Sequence, residues 1–270
     1  MISKQPIQTL LCQSPVIASV KPGDWMFTKK VLPSGEKVAP ARHPAWEGPQ
    51  LRTGSLTFTI ADTTRASKIV GLDPSVGYLE YARANNPHPH VTFEMGDVQN
   101  LPYDDGSFDC CVSSLMIQFV LDAHRAVQEM RRVTKAGGTV ATCMWDSAGG
   151  MELSQKFWDA VVAVDPEAKR PDKNAYGSPN TLSEVWITNG LTNVETKALV
   201  IPIKFCSFDD FWRIHSNTQG PPKPYIGGLS QEREQALKER LRADIFGNHP
   251  DGSITLHAKA WAVRGIVRTG

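Results

Sequence analysis

The sequence predicts an α/β fold built on a mostly parallel sheet, and three stretches between Lys68 and Ser114 carry that expectation. Ile69, Val70 and Leu72 form a short apolar run that ends in Asp73, as a strand buried on both faces does. Val91, Phe93 and Met95 alternate with polar residues into a second strand that stops at Gly96-Asp97. Phe108 to Val112 make a third strand. Two acids therefore stand just past the C-terminal ends of successive strands. In open α/β sheets that edge is where ligands bind.

The intervening elements follow from caps and periods. Ser55 opens a helix whose Leu56, Ile60 and Ala61 would face the sheet. Ser75 is placed to cap a second helix, with Leu79 and Ala82 inward and an end at Asn85-Asn86. After Leu115-Met116-Ile117-Gln118-Phe119, a helix carries Ala123, Val127, Met130 and Val133 on one face. Arg131, Arg132 and Lys135 suit its negative C-terminal pole, and Gly137-Gly138 would close it. Thr139 to Trp145 reads as a strand and Met151 to Val164 as a helix with Leu153, Phe157, Ala160 and Val161 on one side. Val194 to Phe205 is β-rich. Ser230 caps a helix bearing Leu237, Leu241 and Ile245, and Ile254 to Val263 is a final strand. Between them, residues 209–229 contain Gly220-Pro221-Pro222 and Pro224 and read as an irregular lid or insertion.

Residues 1–50 differ from the rest. Prolines at 6, 15, 22, 33, 40, 44 and 49 leave room for short elements only. Val16 to Val20 is a candidate strand. Trp25 to Leu32 and Lys37-Val38 are candidate hairpin arms around Pro33-Ser34-Gly35.

The ordered set K-I-V-G-L-D-P-S, V-T-F-E-M-G-D-V and F-D-C-C-V-S-S resembles the class I S-adenosylmethionine-dependent methyltransferases, most closely the small-molecule branch often called type 11. The resemblance covers roughly Thr53 to Val267. It implies a Rossmann-like sheet, mostly parallel, closed by a C-terminal antiparallel hairpin. It further implies S-adenosyl-L-methionine as cofactor and a small-molecule methyl acceptor. By the resemblance, Asp73 with Pro74 would bind the ribose hydroxyls, Asp97 with Val98 would border the adenine, and Ser113 would lie beside the methionine moiety. Lys135-Ala136-Gly137-Gly138 stands where the family usually has Lys-Pro-Gly-Gly.

The departure lies just before Ser55. The family's first strand runs into a turn of pattern Gly-x-Gly-x-Gly, where the absence of Cβ atoms lets the backbone approach the cofactor. Here Thr53-Gly54-Ser55 is all that matches, and Gly54 is either a remnant of that loop or a plain turn glycine. Residues 46–52 hold no apolar strand run. Two readings stand. Residues 1–50 come from a wrong start, a splicing variant or a truncation, leaving an impaired or non-catalytic methyltransferase-like chain. Alternatively a segment such as Val16 to Val20 replaces the missing strand. The organisation expected is an atypical segment over 1–50 and a methyltransferase-like domain over 51–270.

Composition bounds the partners. With 29 basic and 28 acidic residues in 270, no charge excess argues for nucleic acid or an anionic membrane surface. No apolar run approaches the roughly 20 residues needed to span a bilayer. Cys110, Cys111 and Cys143 fall inside expected strands, which suits reduced packing thiols and a cytoplasmic location. A nicotinamide dehydrogenase is disfavoured, because no Gly-x-Gly-x-x-Gly follows a first strand.

Other polar residues carry weaker signals. Asp104-Asp105-Gly106 reads as a solvent-facing turn, and His88-Pro89-His90 as polar surface in place of a metal site. Leu115 is expected beside the cofactor, and Trp145 and Asp146 on the floor of an acceptor pocket. His124 belongs to a helix start, while His215 is the better general-base candidate. Methyl transfer needs mainly alignment of a nucleophile with the methyl–sulfur bond, so no catalytic residue is assigned.

Overall fold

The computed structural model describes residues 25–28, 54–172, 175–217, 221–247 and 249–269. Its strands are β1 (Trp25–Thr28), β2 (Ile69–Asp73), β3 (Val91–Met95), β4 (Phe108–Ser114), β5 (Thr134–Trp145), β6 (Leu191–Phe205) and β7 (Ile254–Val267). Its helices are α1 (Ser55–Thr63), α2 (Val76–Ala84), α3 (Ala123–Arg132), α4 (Glu152–Val164), α5 (Pro179–Thr188), α6 (Phe208–Asn217), α7 (Pro222–Gly227) and α8 (Gln231–Phe246). The strands form one sheet in the order β3-β2-β1-β4-β5-β7-β6. Strands β1 to β5 run parallel to one another, and β7 runs antiparallel to β5. This is the Rossmann-like methyltransferase arrangement that the sequence implied.

The first strand is replaced. Trp25–Thr28 occupies the central position, with Met26 opposite Val70 on one side and Cys111 on the other. The segment joins a parallel ladder and not the hairpin expected around Pro33. The alternatives Val16 to Val20 and Lys37-Val38 lie outside the described residues. A four-residue strand is short, but its place between β2, wholly buried, and β4, buried except at Asp109, satisfies ladder groups that would otherwise be orphaned on both neighbours.

Several boundaries differ from expectation. Helix α3 stops at Arg132, because Thr134 turns its hydroxyl onto the Met130 carbonyl at 2.7 Å and enters β5 opposite Phe108. The register then shifts so that Thr139 meets Cys110, and Lys135 to Gly138 form the bulge between. Met95, expected inward, is 64% exposed. It ends a strand whose outer flank has no neighbour among the described residues. Residues 208–217 and 222–227 are helical and not irregular. Phe208, Phe211 and Trp212 bury one face of α6, and Pro222 serves as a helix-starting residue in α7. Helix α5 was not anticipated, although Ser178-Pro179 is an N-cap followed by a first-turn proline, and Ser178 accepts from the Thr181 N–H. The closing pair β6 and β7 are neighbours, yet α6, α7 and α8 lie between them in sequence.

The chain divides into two compact units. The sheet unit holds the described residues within 25–145, 175–199 and 260–269, and its core includes Val70, Leu72, Cys111, Val127, Met130, Val140 and Trp186. The second unit holds those within 146–174 and 200–259, with an aromatic core of Phe157, Trp158, Phe205, Phe208, Phe211 and Trp212. No described helix is long and apolar enough to cross a membrane.

Candidate functional site

The ends of the parallel strands align within the sheet unit. Thr28 lies opposite Leu72 and Ser113, Asp73 opposite Met95, and Ser114 opposite Cys143. The C-terminal ends of β1, β2, β3 and β4 share one edge, with Gly96-Asp97, Asp73 and Leu115 following in that order across it. Close packing beneath this edge excludes larger residues at two glycines. A Cβ on Gly71 would come within 2.6 Å of the Phe93 ring, and one on Gly96 within 2.7 Å of Leu72.

Asp73 is 5% exposed, and its Oδ1 accepts from the Ser75 N–H at 2.8 Å. That bond turns the chain through partly buried Pro74 into α2. A carboxylate accepts up to four hydrogen bonds, so one bond to Ser75 is compatible with holding a vicinal diol. Asp97 is exposed, and its Oδ1 accepts from the Gln99 backbone N–H at 2.9 Å. Val98 is buried in the sheet core and pins the loop between them. Gly54 caps α1 with φ +93°, a left-handed conformation that favours glycine, and a Cβ there would press on Phe58 and Phe93 at 3.1 Å. Ser113 is fully buried, and its hydroxyl shares a 2.7 Å hydrogen bond with Thr142.

Leu115 follows β4 in the left-handed region at φ +54°, and its N–H donates to the Cys143 carbonyl at 2.9 Å. Such backbone in a non-glycine residue costs of order 1 kcal/mol and clusters at functional edges. Nothing in the sequence signals it.

A second feature escaped sequence reading, a clamp behind the Asp97 loop. Glu129 sits on the buried face of α3 and accepts from the Leu101 N–H at 2.9 Å and from Arg132 at 2.8 and 2.9 Å. Arg132 in turn donates to the carbonyls of Leu101 and Tyr103 and to Asp105. Hydrogen bonding to Arg132 holds the Glu129 carboxyl below its ordinary value. The detectable signal was an acid on an apolar helix face, between Ala126 and Met130. The clamp also changes the reading of the 104–106 turn, since Asp105 is paired with Arg132 across it.

The remaining candidates disperse. His88 pairs with Asp62 at 3.2 Å and packs edge-on against His90. His124 at the start of α3 contacts the Asn189 amide at 3.0 Å. Asp146 is buried against Lys259 at 2.7 Å and accepts from the Ala148 N–H, while Trp145 is half-buried. His215 is buried beside Phe157 and Phe211, and desolvation lowers its pKa. Burial pushes the Cys143 thiol up to about 11 and Cys111 well above the ordinary range, which removes both as thiolate nucleophiles near neutral pH.

Comparison with known proteins agrees with this fold. Residues 51–142 match the methyltransferase domain family. A malonyl-[acyl-carrier protein] O-methyltransferase of Serratia marcescens is 30% identical over 125 residues, 46% of this chain and 47% of that protein. A demethylmenaquinone methyltransferase of Streptomyces avermitilis is 34% identical over 124 residues, 46% of this chain and 49% of that protein. The chain thus spans about half the length of these curated relatives. Among solved structures, a candidate methyltransferase from Bacillus halodurans superposes with a TM-score of 0.56 at 16% identity, covering 97% of this chain and 99% of that one. The YcgJ protein of Bacillus subtilis does so with 0.54 at 17%, covering 98% and 99%. At such identities these two speak for the fold alone. Taken with the strand order, the family match over residues 51–142 makes the sheet unit similar to the class I S-adenosylmethionine-dependent methyltransferases.

Proposed function

We propose that the chain binds S-adenosyl-L-methionine along the β1–β4 edge and transfers its methyl group to a small-molecule acceptor. The observation that carries this reading is Trp25–Thr28 in the central strand position, parallel to both neighbours. With that position filled, the acids after β2 and β3 share one continuous sheet edge. Asp73, next to Pro74, would hold the ribose diol. Asp97, with Val98 anchoring its loop, would meet the exocyclic amine of adenine. Gly54 at the start of α1 and Ser113 at the end of β4 would border the methionine end. Bound cofactor supplies a methyl activated by a positively charged sulfur, and what the chain itself contributes is orientation of the acceptor against it. Two relatives are named for malonyl-[acyl-carrier protein] and for demethylmenaquinone, which makes acceptors of those two kinds the first to try. Buried thiols in β4 and β5 suit a reducing, cytoplasmic setting.

A second reading is a methyltransferase-like chain with weak or no cofactor binding. One observation favours it: from Lys29 to Gly54 the only glycines are 35, 48 and 54, so no Gly-x-Gly-x-Gly follows β1. Calorimetric titration of the full chain with S-adenosylmethionine separates the two. Micromolar binding supports the first reading, and no detectable binding supports the second. Asp73→Ala removes two charge-assisted acceptor sites and is expected to weaken binding by at least about tenfold with the fold intact. A dissociation constant equal to that of the unaltered chain would remove Asp73 from the site.

A further inference from the structure

We propose that Gln99 is the residue that positions Asp97 and thereby sets selectivity for the nucleobase of the bound nucleoside. This deepens the reading above and rests on it.

Every polar function of Gln99 is engaged. Its backbone N–H donates to Asp97 Oδ1 at 2.9 Å, and its side-chain Nε2 donates to Oδ1 at 3.2 Å and to Oδ2 at 3.1 Å. Its side-chain Oε1 accepts from the Asp122 N–H at 2.9 Å, and its carbonyl accepts from Arg125 Nε at 3.1 Å. Chemistry fixes the amide orientation without ambiguity. A carboxylate only accepts and a backbone N–H only donates, so Nε2 must face Asp97 and Oε1 must face Asp122.

Asp122 is the N-cap of α3 and accepts from the Arg125 N–H at 2.9 Å. Gln99 therefore ties an exposed carboxylate at the end of β3 to the start of a helix that the Glu129–Arg132 clamp holds from behind. An exposed aspartate without such donors samples its terminal torsion broadly. Two donor nitrogens of one residue, making three contacts, instead hold the carboxylate plane in one orientation, with its outer lone pairs turned away from Gln99.

An acceptor-only group so held favours a purine with an amino group at C6. It disfavours a 6-oxo purine, whose oxygen would meet the carboxylate lone pair to lone pair. Because the Gln99 bonds are themselves exposed, they add little to global stability. A change in nucleobase selectivity is thus separable from a change in folding.

The test is the ratio of dissociation constants for S-inosylhomocysteine and S-adenosylhomocysteine, measured by calorimetry on the full chain. The unaltered chain is expected to favour the adenosyl compound by about tenfold or more. Gln99→Glu keeps the acceptor for the Asp122 N–H but replaces the donor to Asp97 with a like charge. Gln99→Ala removes both links. Both are expected to bring the ratio down to roughly threefold or less while the melting temperature stays near that of the unaltered chain. Asp97→Asn, which can donate to a 6-oxo group, is expected to shift the preference toward the inosyl compound. If the unaltered chain binds neither compound, the cofactor reading fails and this inference fails with it. If the unaltered chain discriminates and the ratio is unmoved in both Gln99 variants, this inference alone is overturned.

Discussion

The two units of this chain solve the same problem, burying a core, with different chemistry. The sheet unit relies on aliphatic residues set by strand register and on polar fixings, of which Glu129 with Arg132 is the most developed. The second unit relies on rings. Phe157 stacks on His215 at 4.5 Å, Phe157 meets Trp158 edge-on at 5.3 Å, and Phe205 meets Phe211 edge-on at 5.6 Å. Strand register is specified by many backbone bonds at once and tolerates loss of one side chain. Ring packing concentrates area in few residues, so each one matters more. The acids proposed to face the ligand belong to the unit whose geometry is set by backbone.

The largest expected effect is in the ring core. Phe211→Ala leaves a cavity among Phe205, Phe208 and His215 and is expected to destabilise by about 3–5 kcal/mol. Hydrogen exchange should then quicken within 146–174 and 200–259 while β2 and β4 stay protected. Equal loss of protection in both units would show that they unfold as one and break the comparison.

Met26→Pro strikes the other unit through its backbone. Proline in a strand paired on both sides removes a ladder donor and is expected to cost about 3 kcal/mol or more, with loss of cofactor binding. An unaltered melting temperature would mean that Trp25–Thr28 is not the central strand.

Glu129→Ala should cost about 2 kcal/mol, because the Leu101 N–H and part of Arg132 lose their buried acceptor. Arg132 is partly exposed and finds water, which keeps the figure below that of a wholly buried pair. The urea midpoint checks the magnitude, and Glu129→Gln should lose less.

The smallest effect separates the units by pH. His215 has a pKa lowered from 6.5 by desolvation, so the unfolded chain takes up its proton first. Its contribution is fully present above pH 6.5 and is lost as pH falls below that value through the folded pKa. Glu129 is lowered from 4.5 by Arg132, so its contribution is lost only as pH falls below 4.5. Stability against urea should therefore decline in two windows, the upper one absent in His215→Leu. A single decline below pH 4.5 in the unaltered chain would remove His215 from the account.

Much of this was written locally. The apolar run ending at Asp73 became β2, Ser75 and Ser230 stand at helix starts, and Leu79, Ala82, Leu237 and Leu241 are buried on the expected faces. These features depend on neighbours a few residues away, which periodicity and capping read directly. The acids at the ends of β2 and β3 were legible for the same reason.

What the sequence by itself determined is the set of elements with strong local periods and the acids that end two of them. Tertiary structure alone decided which short apolar segment fills the centre of the sheet. Trp-Met-Phe-Thr at 25–28 has no property that selects it over Val16 to Val20, because its partners Ile69 to Leu72 and Cys110 to Ser113 are distant in sequence. Tertiary structure also decided that Gln99 and Glu129, polar residues with ordinary local readings, fasten the Asp97 loop to α3. Hydrogen bonds between segments leave no period in a single chain, and only the folded arrangement brings their donors within reach of their acceptors.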